Sequence, residues 1–380
     1  LHSYPHFQAS PTTLRHSFNS YMADKIRDFV CREFIFEAVN DFIKNNGSGY
    51  FIIRGDPGIG KTALLAKLIN DHGYIHHFNI ALQNIRSVRA FLENICLQVI
   101  ARYDLPYGSL PQSAIDDSGF LMQCLSEAAA KQEHHPIVIA IDALDEADRT
   151  GLAAATNSMY LPFSLPEGVY IIVTVRRIFD LRLQVANFQT LDLEADSEGN
   201  LQDIKTYIEK NIMKEKILNR ISFWKLTKEQ FIESLAKKSQ GNFMYLYYVL
   251  PAIEAGKFAS GGFDELPHGL LAYYQRHWRQ MREGNEREFD VLYEPIVCVL
   301  GVAQEPITVE QMSNWTRLDK SQVKYAVEKW YEFLLNTTQE NQHLYRIYHA
   351  SFQDFLANQV DLTKYDGMIA DYYLRLANMK

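Results

Sequence analysis

The apolar residues of this chain fall into two kinds of pattern, and the change comes near residue 195. Before it, short unbroken apolar runs stand between glycines, prolines and charges: Phe51 to Ile53, Tyr74 to Phe78, Pro136 to Asp142, Val169 to Thr174 and Phe188 to Leu193. Such runs are the mark of strands buried on both faces. Between the first two, Leu64, Leu65, Leu68 and Ile69 recur at helical spacing until Gly73 stops them. The expectation is an α/β fold built on a five-stranded parallel sheet.

After residue 195 the period becomes helical. Leu201, Ile204, Tyr207, Ile208 and Ile212 line one amphipathic helix. Thr227 with Gln230 forms a capping box for a second, which carries Phe231, Ile232, Leu235 and Ala236. Gly241 separates it from a third, Phe243 to Ile253, and Leu266 to Leu270 open a fourth with Tyr274 and Trp278 on one face. In residues 285 to 360, Thr308 and Gln311 cap a short helix. Val323, Ala326, Val327, Trp330, Tyr331 and Leu334 line the next, read as Ser321 to Leu335, and strands around Leu334 and Leu344 to Tyr348 complete a winged-helix pattern. The domain reading is a linker over 1–25, a nucleotide-binding domain over 26–195, a helical lid over 196–284, a winged helix over 285–362 and the start of a further helical region over 363–380.

Composition narrows the class without naming a chemistry. Over 380 residues, 47% are hydrophobic and 22% charged, as in ordinary globular domains. The balance of 38 basic against 46 acidic residues gives −8, which argues against nucleic acid as a partner. Cys31, Cys96, Cys124 and Cys298 lack the C-x-x-C spacing of metal or redox sites and suit a reducing, cytoplasmic setting. No apolar run nears the ~18 residues of a membrane helix. The pairs His76-His77 and His134-His135 cannot each chelate one ion, because adjacent strand residues point to opposite faces. The chain opens on Leu1 and is read as part of a longer protein.

The first strand runs straight into Gly55-Asp56-Pro57-Gly58-Ile59-Gly60-Lys61-Thr62-Ala63, a G-x-x-x-x-G-K-T loop opening a helix. Glycines let successive backbone N–H groups turn toward one anion, and the helix adds its positive dipole end. Lys61 is the candidate for the β- and γ-phosphates and Thr62 for Mg²⁺. A second acidic site is needed for the metal. The third strand ends in Asp142-Ala143-Leu144-Asp145-Glu146, so Asp142 is the expected metal residue, with Glu146 or Asp145 polarising an attacking water. The fourth ends in Thr174-Val175-Arg176-Arg177. In ATPases with an additional strand it would lie between the other two, turning Thr174 and Arg176 toward the γ-phosphate.

Together these segments resemble the STAND class of P-loop ATPases, and within it the NACHT branch. The family's D-G-L-D-E reads Asp142-Ala143-Leu144-Asp145-Glu146 here, its T-S-R reads Thr174-Val175-Arg176, and its V-G-R reads Val30-Cys31-Arg32. Tyr348-His349-Ala350-Ser351-Phe352-Gln353-Asp354 is similar to F-H-x-S-F-Q-[DE]. The resemblance implies that Val30 and Arg32 border the adenine and that His349 reaches from the winged helix to the β-phosphate of ADP. It implies a switch closed with ADP that opens with ATP to self-associate, hydrolyses ATP slowly with Mg²⁺, and is flanked by effector and sensor domains. Two other readings stay open. One is an initiator-like ATPase that binds DNA through its winged helix, and the other a module that binds nucleotide without turning it over.

Overall fold

The computed structural model describes residues 11–30, 32–80, 85–132, 135–148, 156–177, 183–258, 262–339 and 342–378. The chain divides into two compact units, the first running to Asn211 and the second starting at Ile212.

The first unit contains helices α1 (Pro11–Ile26) and α2 (Glu33–Asn45), strand β1 (Gly49–Gly55), α3 (Lys61–His72), β2 (Ile75–Phe78), α4 (Val88–Tyr103), α5 (Gly119–Lys131), β3 (Ile137–Asp142), β4 (Val169–Arg176), β5 (Phe188–Leu193) and α6 (Glu198–Ile212). The five strands form one parallel sheet in the order β2-β3-β4-β1-β5. β4 therefore lies between the strands that carry the glycine loop and Asp142. Register aligns Ile53 with Thr174 and Gly55 with Arg176.

Strand alternation sends the sheet's side chains into two separate cores. Tyr50, Ile52, Ile139, Ile141, Ile171 and Val173 pack with Phe91, Leu92, Ile95 and Leu125 of α4 and α5. Phe51, Ile53, Val138, Ala140 and Ile172 pack on the opposite face with Ile35 and Val39 of α2 and Leu64, Leu65 and Leu68 of α3. Both faces are covered, which is why the runs are apolar throughout. β5 is the partly exposed edge, and there Arg54 makes a two-pronged ion pair with Asp192. α3 ends where Gly73 takes φ 63°, a left-handed conformation that glycine adopts without steric cost.

Two sequence expectations are corrected here. Residues 11–25 are not a linker: α1 occupies them, its Phe18 is fully buried, and that ring packs on His77 at 5.6 Å and Phe78 at 5.3 Å. The polar composition of the segment hid two buried apolar anchors, Phe18 and Met22. The compact unit also runs past 195, because α6 packs with it through an Arg32–Asp203 pair.

The second unit continues with α7 (Glu215–Phe223), α8 (Lys228–Ser239), α9 (Phe243–Glu254), α10 (Gly269–Arg282), a single turn α11 (Glu286–Glu288) and a π-helical stretch Phe289–Tyr293 leading into α12 (Glu294–Val302). Then follow β6 (Ile307–Thr308), α13 (Val309–Thr316), α14 (Lys320–Trp330), β7 (Leu334–Gln339), β8 (Gln342–Ile347), α15 (Ala350–Gln359) and α16 (Thr363–Asn378). The capping boxes of Thr227 with Gln230 and Thr308 with Gln311 are both formed. β6, β8 and β7 make a three-stranded antiparallel sheet. The helix expected over Ser321 to Leu335 stops at Trp330, and Leu334 begins β7. Its helical spacing from Trp330 misled, because Leu334 is buried equally well on a strand. α16 packs on α12, where buried Tyr365 bonds Glu294 at 2.6 Å.

Candidate nucleotide site

At the carboxyl end of the sheet, the glycine loop leaves β1 and turns into α3 with Gly58 at φ 83° and Gly60 at φ 99°. These left-handed values favour glycine and let the loop curl into the start of α3. Gly55 is needed for a different reason: a Cβ there would lie 2.9 Å from the Ile59 side chain and 3.1 Å from Leu193. Lys61, the first residue of α3, folds over the loop and donates to the carbonyls of Gly55 at 2.7 Å and Asp56 at 3.1 Å. Burial lowers the pKa of its ammonium, against the pull of Asp145 and Asp142.

Asp142 is almost completely buried at the end of β3. Thr174 of the neighbouring β4 donates to its carboxylate at 2.6 Å and accepts from the Ala143 N–H at 2.9 Å. Thr62 also bonds that carboxylate, and burial nevertheless raises its pKa over those bonds and the attraction of Lys61. Ala143 sits at φ 49°, where a glycine would be free of strain. Arg176, ending β4, turns back: its Nε lies 3.0 Å from Asp145, its N–H donates to the same carboxylate at 3.2 Å, and a guanidinium nitrogen lies 3.9 Å from Glu146. Arg177 donates to the Leu193 carbonyl at 3.0 Å.

Thr62, Asp142, Asp145, Glu146, Thr174, Arg176 and Lys61 thus form one contiguous group beside the loop that runs from Gly55 through Pro57, Gly58, Ile59 and Gly60 to Ala63. Arg32 joins it from an unexpected side. Its buried guanidinium donates to the loop carbonyl of Ile59 at 2.6 Å, and its Nε lies 3.5 Å from Asp203 of α6. Burial lowers the Arg32 pKa to about 10 despite Asp203, so the group stays charged near neutrality. Val30 lies half-buried just before it, and Cys31 falls outside the described residues. His349 belongs to the second unit, where it caps α15.

Sequence reasoning missed Asn79 and Asp203. Asn79 follows β2, is buried, and donates to the Asp142 carbonyl from both its backbone N–H at 3.2 Å and its side chain at 3.0 Å. Its signal was a polar residue directly after the strand neighbouring β3. Asp203 had none, being remote in sequence from Arg32.

The donor set fits a metal-bound nucleotide. A half-buried ammonium and a buried carboxyl, each with its charged form disfavoured by burial, sit beside a glycine loop at a helix start; a phosphate and a divalent cation would compensate them. Among the described residues no group of three or more His, Cys, Asp or Glu side chains could hold a metal unaided.

Residues 28–160 match the AAA ATPase domain family. A stretch of 134 residues, 32% of this chain and 8% of the relative, is 28% identical to the human NACHT domain- and WD repeat-containing protein 1. Residues 28–160 are similar to P-loop ATPase domains. The chain covers less than a tenth of that relative's length. Among solved structures, a STAND protein with a tetratricopeptide repeat sensor from Pyrococcus horikoshii aligns over 91% of this chain and 45% of its own at 17% identity and a TM-score of 0.46. Drosophila ORC bound to DNA aligns over 90% of this chain and 98% of its own, at 12% identity and a TM-score of 0.36. Both scores lie below 0.5, so neither likeness bears on what this chain does. No helix among its described residues is long and apolar enough to cross a membrane.

Proposed function

We propose that this chain is the nucleotide-operated switch of a larger signalling protein. It is closed with ADP, opens with ATP to self-associate as a homo-oligomer, and resets by slow Mg²⁺-dependent hydrolysis. The observation that carries the reading is the Asp142 carboxylate, buried and held by Thr62 and Thr174 beside Lys61. A bound Mg²⁺–adenine nucleotide would supply the phosphoanhydride bond and the divalent charge.

Around it, Lys61 would exchange the carbonyls of Gly55 and Asp56 for phosphate oxygens. Thr62 and Asp142 would hold the metal, with Thr174 fixing the carboxylate's orientation. Asp145 or Glu146 would polarise the water, while Arg176, now turned on both, would respond to the charge beyond them. Val30 and the Arg32 backbone would border the base, and the Arg32 side chain would keep the loop in shape through Ile59.

The proposal takes α7 to α10 as a helical lid and residues 285–362 as a winged helix whose His349 holds the β-phosphate of ADP. Effector and sensor regions would lie elsewhere in the full protein. The physics is differential affinity: a shift from mostly shut to mostly open takes about 5 kcal/mol of preference. DNA binding gains no support from α14, where Lys320 pairs with Glu310 at 2.9 Å and Lys329 lies over Tyr325.

Single-turnover hydrolysis tests the catalytic assignment. Glu146→Gln and Asp145→Asn should both still bind Mg²⁺–ATP, and the one that carries the base should slow turnover at least ~10-fold. Wild-type rates in both variants would remove these carboxylates from the chemistry.

A further inference from the structure

Arg32 stands at φ 78°, in the left-handed region where a residue with a Cβ is strained. Several bonds hold it there. Its carbonyl accepts from the N–H groups of Ile35 at 2.9 Å and Phe36 at 3.3 Å, in the first turn of α2. Its own N–H donates to the carboxylate of Asp203 on α6, and its Nε lies 3.5 Å from the same group. Nη2 then reaches the glycine loop, donating to the Ile59 carbonyl at 2.6 Å. Both charged side chains are buried, at 3% and 8% exposure, and a buried pair this loosely spaced adds little net stability. Its effect falls on the conformation of what it holds.

That is a peptide able to turn over. Flipping the Ile59–Gly60 unit rotates ψ of Ile59 and φ of Gly60, and glycine accepts either sign of φ. The unit is trans, with C=O and N–H on opposite sides, so a carbonyl held at Arg32 turns the Gly60 N–H away from Arg32. Among the described residues no carbonyl accepts from that N–H. A flipped unit would present the Ile59 oxygen in its place, and an anion would meet a lone pair instead of a proton.

We propose that Asp203 is a positioning residue for the phosphate loop. It holds Arg32 in its left-handed conformation with the guanidinium on the Ile59 carbonyl, which sets the Gly60 N–H to donate to an anionic oxygen of the nucleotide. The inference deepens the reading of Gly55–Thr62 as a nucleotide site and rests on it. Asp203, Arg32 and the loop all belong to the first unit, so the donor is set before any nucleotide arrives, and binding needs no reorganisation there.

The test is NMR of the Gly60 amide combined with calorimetric titration of ADP. Ile59-Gly60 is the one Ile-Gly pair in the sequence, so isoleucine labelled with ¹³C at its carbonyl and glycine labelled with ¹⁵N mark this amide alone. In the wild type, Mg²⁺–ADP should move the Gly60 proton downfield, as a bond to a phosphate oxygen does. Asp203→Asn, which removes the charge and keeps the shape, should lose most of that shift and bind ADP about tenfold more weakly, the loss of one bond to a charged group. Arg32→Gly, which takes the left-handed turn without strain but lacks the guanidinium, should do the same, and it carries the test if Asp203→Asn does not fold. Adding Asp203→Asn to Arg32→Gly should cost no further affinity, because Asp203 acts through Arg32. A wild type that binds ADP without moving the Gly60 proton, variants that keep the full shift whatever their stability, or additive losses in the double variant would overturn the positioning role and leave the nucleotide site standing. Failure of the wild type to bind ADP would instead remove the site, and with it any function for the set N–H.

Discussion

At the carboxyl end of the sheet, burial disfavours the charged forms of the buried Asp142 and the half-buried Lys61; in the second unit, Glu332 is a half-buried carboxylate whose charge the protein secures. Glu332 has His277 Nδ1 at 2.7 Å and the Lys257 ammonium beside it. Burial would raise its pKa, yet those partners outweigh burial and hold it at about 2. The contrast separates a structural polar cluster from a functional one. Where partners from the chain itself complete the charge balance, the group contributes to stability. Where they leave it incomplete, as at Asp142 and Lys61, a bound ligand would supply the missing charge in the function proposed.

The sharpest way to break the comparison is at Lys61. Lys61→Ala should weaken adenine nucleotide binding at least ~100-fold with little change in melting temperature, measured by calorimetric titration beside a thermal melt. A large loss of stability would put Lys61 in the same structural class as Glu332.

Glu332 should respond in the opposite way. A depressed carboxylate pKa contributes stability above the ordinary value of 4.5, and that stability is lost as pH falls from there toward 2. Glu332→Gln should cost roughly 2 kcal/mol at neutral pH and flatten the dependence of unfolding free energy on pH in that window, leaving nucleotide affinity unchanged. Denaturant titrations at several pH values would show it.

Thr174→Val sharpens the sheet side. It strips Asp142 of a donor and leaves the Ala143 N–H without its acceptor, so a cost of about 1–2 kcal/mol is expected, together with weaker Mg²⁺-dependent binding. The smallest effect should come at Ala143. Replacing it by glycine relieves a left-handed alanine and should stabilise the unit by about 0.5–1 kcal/mol in equilibrium unfolding.

Legibility in the sequence followed the range of the interactions. The sheet could be read because burial on both faces wrote apolar runs, and the phosphate loop because its glycines are demanded within a few residues of one another. Capping boxes at Thr227 and Thr308 are equally local. α1 was not legible, since only tertiary packing reveals that Phe18 is an anchor. The end of α14 was lost because position 334 suits helix and strand alike. The Arg32–Asp203 pair and the Tyr274–Ser351 hydrogen bond join residues far apart in sequence, and no spacing rule reports either.

The central claim is that the loop at Gly55–Thr62 and the Asp142 carboxylate form one site for a magnesium-bound adenine nucleotide. Titrating ADP into the purified, nucleotide-free protein with and without Mg²⁺, and into Asp142→Asn, tests it most directly. The account predicts one site per chain, tightened by Mg²⁺ in the wild type and insensitive to Mg²⁺ in the variant. Absence of binding, or an equal Mg²⁺ response in both proteins, would contradict it.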